Sequence, residues 1–311
     1  MRAHRIGIVG YGKIAGDQHV PVIAASDAFV LVAVASTRGA GPPGLERIFT
    51  DHRDMFAMGD LDAVAICTPP SVRHAIAREA IAAGKHVMLE KPPAATLSEL
   101  EDLARRAASA GRVLFTTWHS QANAAVDEAR RRLVGERVRS LRVTWREDVR
   151  RWHPGQAWIW KAGGFGVFDP GINALSILTK ILPDPVFVRE ATLSVPANAE
   201  TPIAADLVLS TGLSEEDLRA DFDWREEGEQ HWDIAVETAS GTRLHLAEGG
   251  TRLSVDGREV VAAPSAEYEA LYARFSELLA RGESEVDAAP FRLVADAFMI
   301  GRRVEVEPFA E

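Results

Sequence analysis

The chain of 311 residues contains a single cysteine, Cys67. A disulfide within the chain needs two cysteines, so disulfide-stabilised folds are excluded, and a reducing compartment is expected. Apolar runs are short: none approaches the roughly 20 residues of a membrane-spanning helix, and the N-terminal segment lacks the apolar stretch of a secretory signal. We therefore expect a soluble, cytoplasmic protein that does not bind membranes.

Basic residues are also in deficit, with 35 Lys+Arg against 45 Asp+Glu and a formal net charge of −10. Proteins that bind nucleic acid or anionic membranes need a concentrated basic surface, so neither partner is expected. The apolar content of 47% and the charged content of 26% are ordinary for a globular protein. The length suggests about two domains at roughly 150 residues each.

The first third of the chain alternates short apolar runs with helical stretches. The apolar runs, which are rich in Val and Ile, are residues 5–9, 29–34, 61–67, 86–90 and 113–116. Such runs are typical of parallel strands covered on both faces. Ser71 is expected to cap a helix that ends at Gly84, and a capping box at Thr96 and Glu99 opens another that ends near Gly111. The repetition predicts an α/β fold with a doubly wound parallel sheet.

After about residue 120 the pattern changes to longer segments that alternate apolar and polar residues. We predict a helix over residues 122–134 and strands over 138–149, 186–195, 218–224, 232–238, 243–246, 252–255 and 259–262. Asp256-Gly257 lies between the last two strands and is a strong hairpin signal. This half is therefore predicted to be an α+β domain with a mostly antiparallel sheet. Two helices, over residues 267–280 and 290–302, are expected to end the chain.

A glycine-rich turn follows the first predicted strand and opens a helix. The segment from Gly10 to Ala15, which contains Gly12, Lys13 and Ile14, matches G-x-G-x-x-G/A. The glycines allow a tight turn and a close approach of the backbone to a pyrophosphate, and the amides at the helix start meet the phosphates. Because the flanking strand and helix are both predicted, the motif indicates a dinucleotide site rather than a plain turn.

The end of the second strand indicates which dinucleotide is bound. An NAD site usually has Asp or Glu there, whereas this chain has Ser36, Thr37 and Arg38. A guanidinium with two hydroxyls can bind a 2′-phosphate, so we expect NADP to be preferred and NAD also to be accepted. The alternative is that these residues form a polar surface loop.

Ligands of open α/β sheets bind at the carboxyl ends of the strands. The third strand ends at Cys67, Thr68 and Pro69, and the fourth ends at Glu90 and Lys91, which are followed by two prolines. These residues are expected to line the cofactor site, with Lys91 directed towards the nicotinamide. Taken alone, a lysine at a strand end is more often a surface charge, and Cys67 is expected to be a packing residue rather than a nucleophile.

A second group of candidate residues lies in the other half. Asp169 and Asn173 are four residues apart, the spacing that places two side chains on one face of a helix. Asp169 can instead be a helix cap, since a proline follows it. Upstream, Glu147, Trp152 and His153 combine a carboxylate, an imidazole and an aromatic ring, which suits a sugar. The alternative is an aromatic cluster that closes the edge of the sheet.

Together these residues resemble the Gfo/Idh/MocA oxidoreductases. That family combines a glycine-rich dinucleotide turn, an E-K-P segment and a G-G-G-x-x-x-D-x-G-x-H segment. Here they correspond to residues 10–15, to residues 90–92 and to the glycine-rich stretch that leads to Asp169 and Asn173. Within the family, the chain is most similar to bacterial aldose 1-dehydrogenases acting on L-arabinose and D-galactose. The similarity includes Thr117-Trp118-His119-Ser120 and the stretch from Glu147 to Gln156.

The resemblance implies a Rossmann domain over residues 1–120. It also implies a domain with an open-faced sheet over residues 121–311, which binds substrate and forms a homodimer or higher homo-oligomer. The C-terminal helix is expected to return to the Rossmann domain. Lys91, Asp169 and Asn173 are implied as catalytic, and His119, Glu147, Trp152 and His153 as sugar-binding residues beside Asp169 and Asn173. The implied reaction is NAD(P)-dependent oxidation of L-arabinose, D-galactose or D-fucose at C1 to the aldonolactone, a step of sugar catabolism.

One position departs from the family pattern. Histidine commonly stands where this chain has Asn173, and an asparagine does not change its protonation state near neutral pH. Asp169 is then the favoured base, with Lys91 stabilising negative charge on the substrate oxygen; the reverse assignment, with Lys91 as base, stays open. A noncatalytic sensor that binds a dinucleotide and a sugar is the alternative function, because the fold alone does not establish catalysis. The nine histidines show no metal-ligand spacing, so no metal is expected.

Overall fold

The computed structural model describes residues 2–212 and 217–310. The chain forms two compact units, each with its own sheet. The first unit takes in Met1–Trp118 and Tyr268–Ala288, and the second takes in His119–Glu267 and Ala289–Glu311. The first unit thus includes a later segment of the chain, Tyr268–Ala288, in addition to its N-terminal part.

In the described part of the first unit, six parallel strands form one sheet in the order β3-β2-β1-β4-β5-β6. The strands are β1 (His4–Val9), β2 (Phe29–Ala35), β3 (Ile48–Phe49), β4 (Ala63–Ile66), β5 (His86–Leu89) and β6 (Leu114–Thr116). This order is that of doubly wound dinucleotide-binding folds, and it confirms the predicted parallel sheet. The two-residue strand β3 is too short to give a sequence pattern and was not predicted.

Helices connect these strands. A π-helical turn at Ala15–His19 continues into α1 (Val20–Ala24), and α2 (His52–Phe56), α3 (Pro70–Ala82) and α4 (Leu97–Ala110) follow. The capping box is confirmed at α4, where the Thr96 hydroxyl accepts from the Glu99 N–H at 3.3 Å. The expectation that Ser71 caps α3 is wrong: the helix already begins at Pro70, because the fixed φ of proline suits the first helical position.

The helix that joins the first unit late in the chain is α8 (Glu267–Arg281). Phe275 stacks on Phe29 with ring centroids 5.8 Å apart, and Tyr268 and Tyr272 are buried in the same core. The return of the helix over residues 290–302 to this domain stays a prediction, whereas α8 belongs to the first unit. The reason is that α8 carries its aromatic residues at helical spacing on one face, and this face completes the core beside the sheet.

The second unit contains, within its described residues, a nine-stranded sheet in the order β14-β13-β12-β11-β7-β10-β9-β8-β15. The strands are β7 (Val138–Arg146), β8 (Phe187–Pro196), β9 (Ala204–Ser210), β10 (Asp217–Asp223), β11 (His231–Thr238), β12 (Arg243–Ala247), β13 (Arg252–Val255), β14 (Arg258–Ala262) and β15 (Arg302–Val306). The pairs β7–β10 and β8–β15 are parallel and the other pairs are antiparallel. The mostly antiparallel sheet is therefore confirmed, as is the hairpin at Asp256-Gly257, where both residues have positive φ.

Two strands of this sheet were not predicted. Strand β9 was overlooked, and the chain was expected to end in helices, whereas β15 follows the last helix and pairs with β8. Strand β15 is five residues long and mostly charged, so it lacks an apolar pattern. Its pairing comes from tertiary structure, which local sequence patterns do not report.

The helices of the second unit are α5 (Ala124–Leu133), α6 (Val149–Trp152), α7 (Phe168–Ile181) and α9 (Ala289–Ile300). Helix α7 is almost wholly buried, and a Cβ at Gly171 would lie 3.1 Å from the Phe222 ring, so this glycine lets the helix approach β10 closely. The arginines of β7, which lie outside the core, form ion pairs, such as Arg142 with Asp217 at 2.7 Å. Across the described part of the chain, no helix combines the length and apolar character needed to span a bilayer.

Candidate active site

The glycine-rich turn has the space that a pyrophosphate needs. Gly10 has φ +91°, and a Cβ there would lie 2.9 Å from both the backbone N and the Cγ2 of Thr68, so only glycine fits without strain. At Gly12, in contrast, a Cβ would meet no atom within 4 Å. The turn thus packs closely on the end of β4 on one side and leaves open space on the other, beside the start of the helix.

The neighbouring strand end offers a polar group to this space. Cys67 and Thr68 follow β4 and are half-buried, and Pro69 precedes α3. The Thr68 hydroxyl oxygen is buried, and no hydrogen-bond partner for it is found among the described residues. A buried hydroxyl with open hydrogen-bonding capacity suits a bound ligand. The residues at these strand ends therefore fit a dinucleotide.

Strand β2 ends next to the glycine-rich turn. Ser36 is buried and its N–H donates to the Phe49 carbonyl at 2.8 Å, whereas Thr37 and Arg38 are exposed. The Arg38 guanidinium donates to the Tyr11 carbonyl at 3.2 Å, so it lies beside the turn. Of the two remaining predicted cofactor residues in the turn, Ile14 is exposed and Lys13 forms a surface ion pair with Asp17.

Glu90, beside Lys91, is held in a buried polar cluster. One carboxylate oxygen, Oε1, accepts from the Tyr268 hydroxyl at 2.8 Å and lies 3.0 Å from His19 Nε2, while Oε2 accepts from the Lys91 N–H at 2.9 Å. His19 Nδ1 lies 2.8 Å from the Tyr272 hydroxyl. Burial opposes a charge on His19, but Cys67, Tyr272 and Glu90 outweigh it and hold the pKa of His19 well above its usual value. Burial raises the pKa of Tyr272 to about 12.

A buried arginine fixes the segment around Lys91. The Arg73 guanidinium donates to the carbonyl oxygens of Thr68, Glu90 and Pro92. It therefore ties the ends of β4 and β5 together and sets the backbone on both sides of Lys91, which is half-buried. Sequence analysis missed Arg73 and His19, because a lone Arg or His inside a helical pattern gives no signal of burial.

In the second unit, Asp169 and Asn173 both lie in α7, as their spacing predicted. The helix begins at Phe168 and its cap residue is Val167, so the alternative that Asp169 is the helix cap is wrong. The glycines before the helix are needed for the path of the chain. A Cβ at Gly164 would lie 2.4 Å from the Trp158 carbonyl, and one at Gly166 would lie 2.3 Å from the Pro202 carbonyl. This tight loop leads directly into α7 and so positions Asp169, which is 5% exposed.

Glu147 directly follows β7 and is held by two indole groups. Its Oε1 accepts from Trp224 Nε1 at 3.2 Å, and its Oε2 accepts from Trp232 Nε1 at 2.9 Å. The residue is 5% exposed. Because an indole N–H can only donate, the two tryptophans require an acceptor between them and fix the orientation of the carboxylate.

His153 lies between the two carboxylates. Its Nε2 is 3.7 Å from Glu147 Oε1, and its Nδ1 is 3.7 Å from Asp169 Oδ2. Its backbone N–H donates to the Val149 carbonyl at 2.8 Å, and its ring packs on Trp224 at 5.2 Å. The Nδ1 atom is buried and makes no hydrogen bond to any described residue. The structure therefore brings three of the predicted residues into one cluster, which we call the carboxylate–histidine cluster (Glu147, His153, Asp169).

The other two residues that were predicted only to bind sugar lie in different surroundings. Trp152 is 36% exposed, packs edge-on against Trp232 at 5.7 Å and donates to Gln230 at 3.3 Å. His119 Nδ1 lies 2.8 Å from Glu267. Burial alone would raise the pKa of Glu267, but His119 lowers it below the usual value.

Trp224, Trp232 and Gln230 are further members of this region that sequence analysis did not select. Trp224 is fully buried, and Trp232 stands opposite Trp145 where β11 and β7 pair. The segment that contains Trp232 was predicted as a strand, so the alternation along that strand was the available signal. It could not indicate the contact with Glu147, because that depends on the register between strands that are distant in sequence.

Comparison with known proteins agrees with this architecture. Residues 4–118 match the Gfo/Idh/MocA model, described as an oxidoreductase family with an NAD-binding Rossmann fold. A galactose 1-dehydrogenase from Pseudomonas fluorescens is 47% identical over 310 residues, 99% of each chain. The crystal structure of D-galactose-1-dehydrogenase from Rhizobium etli is 50% identical and superimposes with a TM-score of 0.93, covering 100% of this chain and 99% of that one.

A more distant structure shares the fold. It is a 3-ketoreductase from Actinomadura kijaniata, described in complex with TDP-benzene and NADP, with 18% identity and a TM-score of 0.82 over 98% of this chain and 99% of that one. The full-length similarity at 47% identity, together with the match to the family model, shows the relationship. The chain therefore belongs to the Gfo/Idh/MocA family of oxidoreductases and is an enzyme of that class.

Proposed function

We propose that this enzyme oxidises an aldose at C1 to the aldonolactone, with NADP or NAD as the hydride acceptor. The observation that carries the proposal is the carboxylate–histidine cluster beside tryptophan rings, in a chain 47% identical to a galactose 1-dehydrogenase. Carboxylates and an imidazole bind sugar hydroxyls, and aromatic rings cover the apolar face of a pyranose.

The nicotinamide supplies the hydride chemistry when it is bound, and this chain supplies orientation and proton transfer. We propose that Gly10, Gly12 and Thr68 lie against the cofactor phosphates, and that the other strand-end residues predicted from sequence complete its site. These are Lys13, Ile14, Ser36, Thr37, Arg38, Cys67, Pro69, Glu90 and Lys91. Three observations support this proposal: the close packing at Gly10, the open space at Gly12, and the Thr68 hydroxyl, which has no hydrogen-bond partner among the described residues.

For the reaction itself, we assign the catalytic roles to Lys91, Asp169 and Asn173. Asp169 receives the proton of the C1 hydroxyl, Lys91 stabilises the charge that develops on the substrate oxygen, and Asn173 orients the same region by hydrogen bonding. The near-complete burial of Asp169 supports its role, because charge interactions are stronger away from water. His119, Glu147, Trp152 and His153 are proposed to bind the sugar hydroxyls and ring.

The proposed substrates are D-galactose, L-arabinose and D-fucose. The pyranose ring of L-arabinose has the hydroxyl arrangement of D-galactose without the exocyclic group, so one pocket can accept both. An additional apolar group usually changes selectivity by about 1–3 kcal/mol. We therefore expect activity on all three sugars rather than exclusive use of one.

The test is a spectrophotometric screen of these aldoses with NADP and with NAD, which follows the reduced nicotinamide. We expect turnover with NADP to exceed turnover with NAD. Arg38→Ala should raise the KM for NADP about tenfold or more while leaving the KM for NAD nearly unchanged, because a charge-assisted hydrogen bond to the 2′-phosphate is lost. No reduction with any aldose and either cofactor would overturn the proposed function, and an unchanged KM for NADP would overturn the role of Arg38.

We also propose that the open face of the nine-stranded sheet binds a second copy of the chain. This face carries charges of both signs, among them Arg142, Arg146, Asp217 and Asp221, which is compatible with a self-complementary contact. Sedimentation velocity of the purified protein tests this, since a monomer at micromolar concentration would contradict it.

A further inference from the structure

The feature that the proposed reaction leaves unexplained is the path of the proton beyond Asp169. A buried carboxylate that accepts a proton in each turnover must release it before the next one. Asn173, which stands where the family commonly has histidine, has no group that titrates near neutral pH. The structure nevertheless has a histidine close to Asp169, but it comes from a different part of the chain.

That histidine is His153, which follows α6, whereas Asp169 and Asn173 lie in α7. Its Nδ1 is 3.7 Å from Asp169 Oδ2, is buried, and makes no hydrogen bond to any described residue. Distances of this kind are common in catalytic pairs without substrate and shorten when substrate binds. His153 is therefore placed to accept a proton from Asp169.

The surroundings of His153 favour this direction of transfer. Nε2 faces Glu147 Oε1 at 3.7 Å, and Glu147 is fixed by the indole groups of Trp224 and Trp232. A proton on Nε2 that is directed to Glu147 leaves the Nδ1 lone pair facing Asp169. After transfer, the imidazolium lies between two carboxylates, and both of its N–H groups then have an acceptor.

Resting on the proposed function, we infer that His153 is the proton acceptor behind Asp169 and performs the task that Asn173 cannot. During oxidation the C1–H bond breaks and its electron pair leaves as hydride to the nicotinamide, while the C1 hydroxyl proton moves to Asp169 and C1 becomes a carbonyl carbon. The proton then passes to His153 Nδ1, which restores the Asp169 carboxylate. The side chain of His153 is 15% exposed, so the proton can leave to solvent from this ring.

The experiment compares His153→Gln with a control, His245→Gln, whose histidine belongs to the same unit and is 53% exposed. Both variants and the wild type are assayed with saturating D-galactose and NADP across pH 5.5 to 9.5, so that the shape of the kcat–pH profile is measured as well as kcat. Sugar affinity is measured separately without cofactor by tryptophan fluorescence. This is possible because Trp224 and Trp232 adjoin the cluster.

We expect His153→Gln to lower kcat by about 100-fold or more, the usual contribution of an acid–base group, and to change the shape of the kcat–pH profile. The affinity for sugar should change far less than kcat. Added imidazole should restore the turnover of His153→Gly in proportion to its concentration, a result that a purely structural role does not produce. His245→Gln should behave as the wild type.

Retention of the wild-type kcat and pH profile in His153→Gln, with only a weaker affinity for sugar, would overturn the inference and leave His153 as a sugar-binding residue. If the glutamine variant does not fold, His153→Asn and imidazole rescue of His153→Gly decide the question, and absence of rescue counts against the inference. A wild-type protein that oxidises no aldose would refute the proposed function, and the inference with it. An active wild type with an unaffected His153→Gln refutes the inference alone.

Discussion

Each unit of this enzyme contains a histidine beside a buried glutamate, and the two sites differ in their hydrogen bonding. In the first unit, His19 is fully buried, and its ring nitrogens lie 2.8 Å from Tyr272 and 3.0 Å from Glu90. In the second unit, His153 lies 3.7 Å from both Glu147 and Asp169, and its side chain is 15% exposed. Both ring nitrogens of His19 therefore have hydrogen-bond partners, whereas Nδ1 of His153 makes no hydrogen bond to any described residue.

This difference separates a structural polar cluster from a reactive one. A buried polar network stabilises a fold when each member is satisfied, and leaving one member unsatisfied is costly. Groups that take part in a reaction must instead keep a position for substrate or for a moving proton. The cluster around His19 therefore fixes the backbone beside Lys91, and the carboxylate–histidine cluster leaves room for chemistry.

The largest expected effect is on turnover in the second unit. Asp169→Asn keeps the shape of the side chain but removes its ability to accept a proton, so kcat for aldose oxidation should fall about 10²–10⁴-fold. The stability of the protein should change little in comparison. Steady-state kinetics together with thermal unfolding measures both effects.

Asp206→Asn is the matched control for Asp169→Asn. Asp206 stands opposite Asp221 in the nine-stranded sheet, where burial and the neighbouring Asp221 carboxylate raise its pKa. It therefore has an unusual proton affinity but lies in the sheet rather than in α7. A comparable loss of turnover in both variants would show that the assay reports general damage, and wild-type turnover in Asp169→Asn would remove Asp169 as the base.

The second expected effect is on stability, and it should be larger for a change in the first unit than for one in the second. Glu90→Gln breaks a buried charged pair, which typically costs about 3–5 kcal/mol of unfolding free energy. His153→Gln removes a ring whose Nδ1 makes no hydrogen bond to any described residue, and it should cost about 1 kcal/mol or less. Urea unfolding of both variants measures the difference. Equal losses would mean that the two clusters do not differ as their hydrogen bonding indicates.

The fold could be predicted from sequence where local patterns determine it. The parallel strands of the first unit are continuous apolar runs, the helix at Leu97–Ala110 has a capping box, and the hairpin at Asp256-Gly257 has a specific turn sequence. Strand β15 and the place of α8 could not be predicted, because both depend on packing between segments that are distant in sequence. The domain limits at positions 1–120 and 121–311 stay a prediction.

For the candidate site, the sequence predicted the types of residue better than the contacts between them. Glu147, His153 and Asp169 were selected as residue types suited to a sugar, and they do lie together. The indole groups that hold Glu147 were missed, since their approach depends on the register of β7, β10 and β11. The polar partners of Glu90 were missed for a similar reason: Tyr268 comes from a helix 178 residues later in the chain.

The smallest expected effect is the pH dependence of stability in the first unit. Burial disfavours the charged form of His19, but Cys67, Tyr272 and Glu90 raise its pKa well above the usual value. A raised folded-state pKa stabilises the protein fully below the unfolded-state value of about 6.5, and this contribution is lost as the pH rises through the folded-state value. The unfolding free energy of the wild type should therefore decrease between neutral and alkaline pH, and His19→Gln should show a shallower decrease.

His86 is the contrasting case in the same unit. Its pKa is lowered rather than raised, so its contribution to stability should change with pH in the opposite direction. Its Nδ1 accepts from the Val113 N–H at 2.9 Å, and burial, followed by the nearby Arg112, lowers its pKa to about 4. The unfolded chain therefore binds a proton here before the folded protein does, so stability falls as the pH drops from about 6.5 towards 4. His86→Gln should flatten the acidic side of the urea-unfolding profile and leave the alkaline side unchanged. If His19→Gln also affects only the acidic side, the His19 imidazole is not charged in the folded protein, and the cluster around Glu90 is held by neutral hydrogen bonds alone.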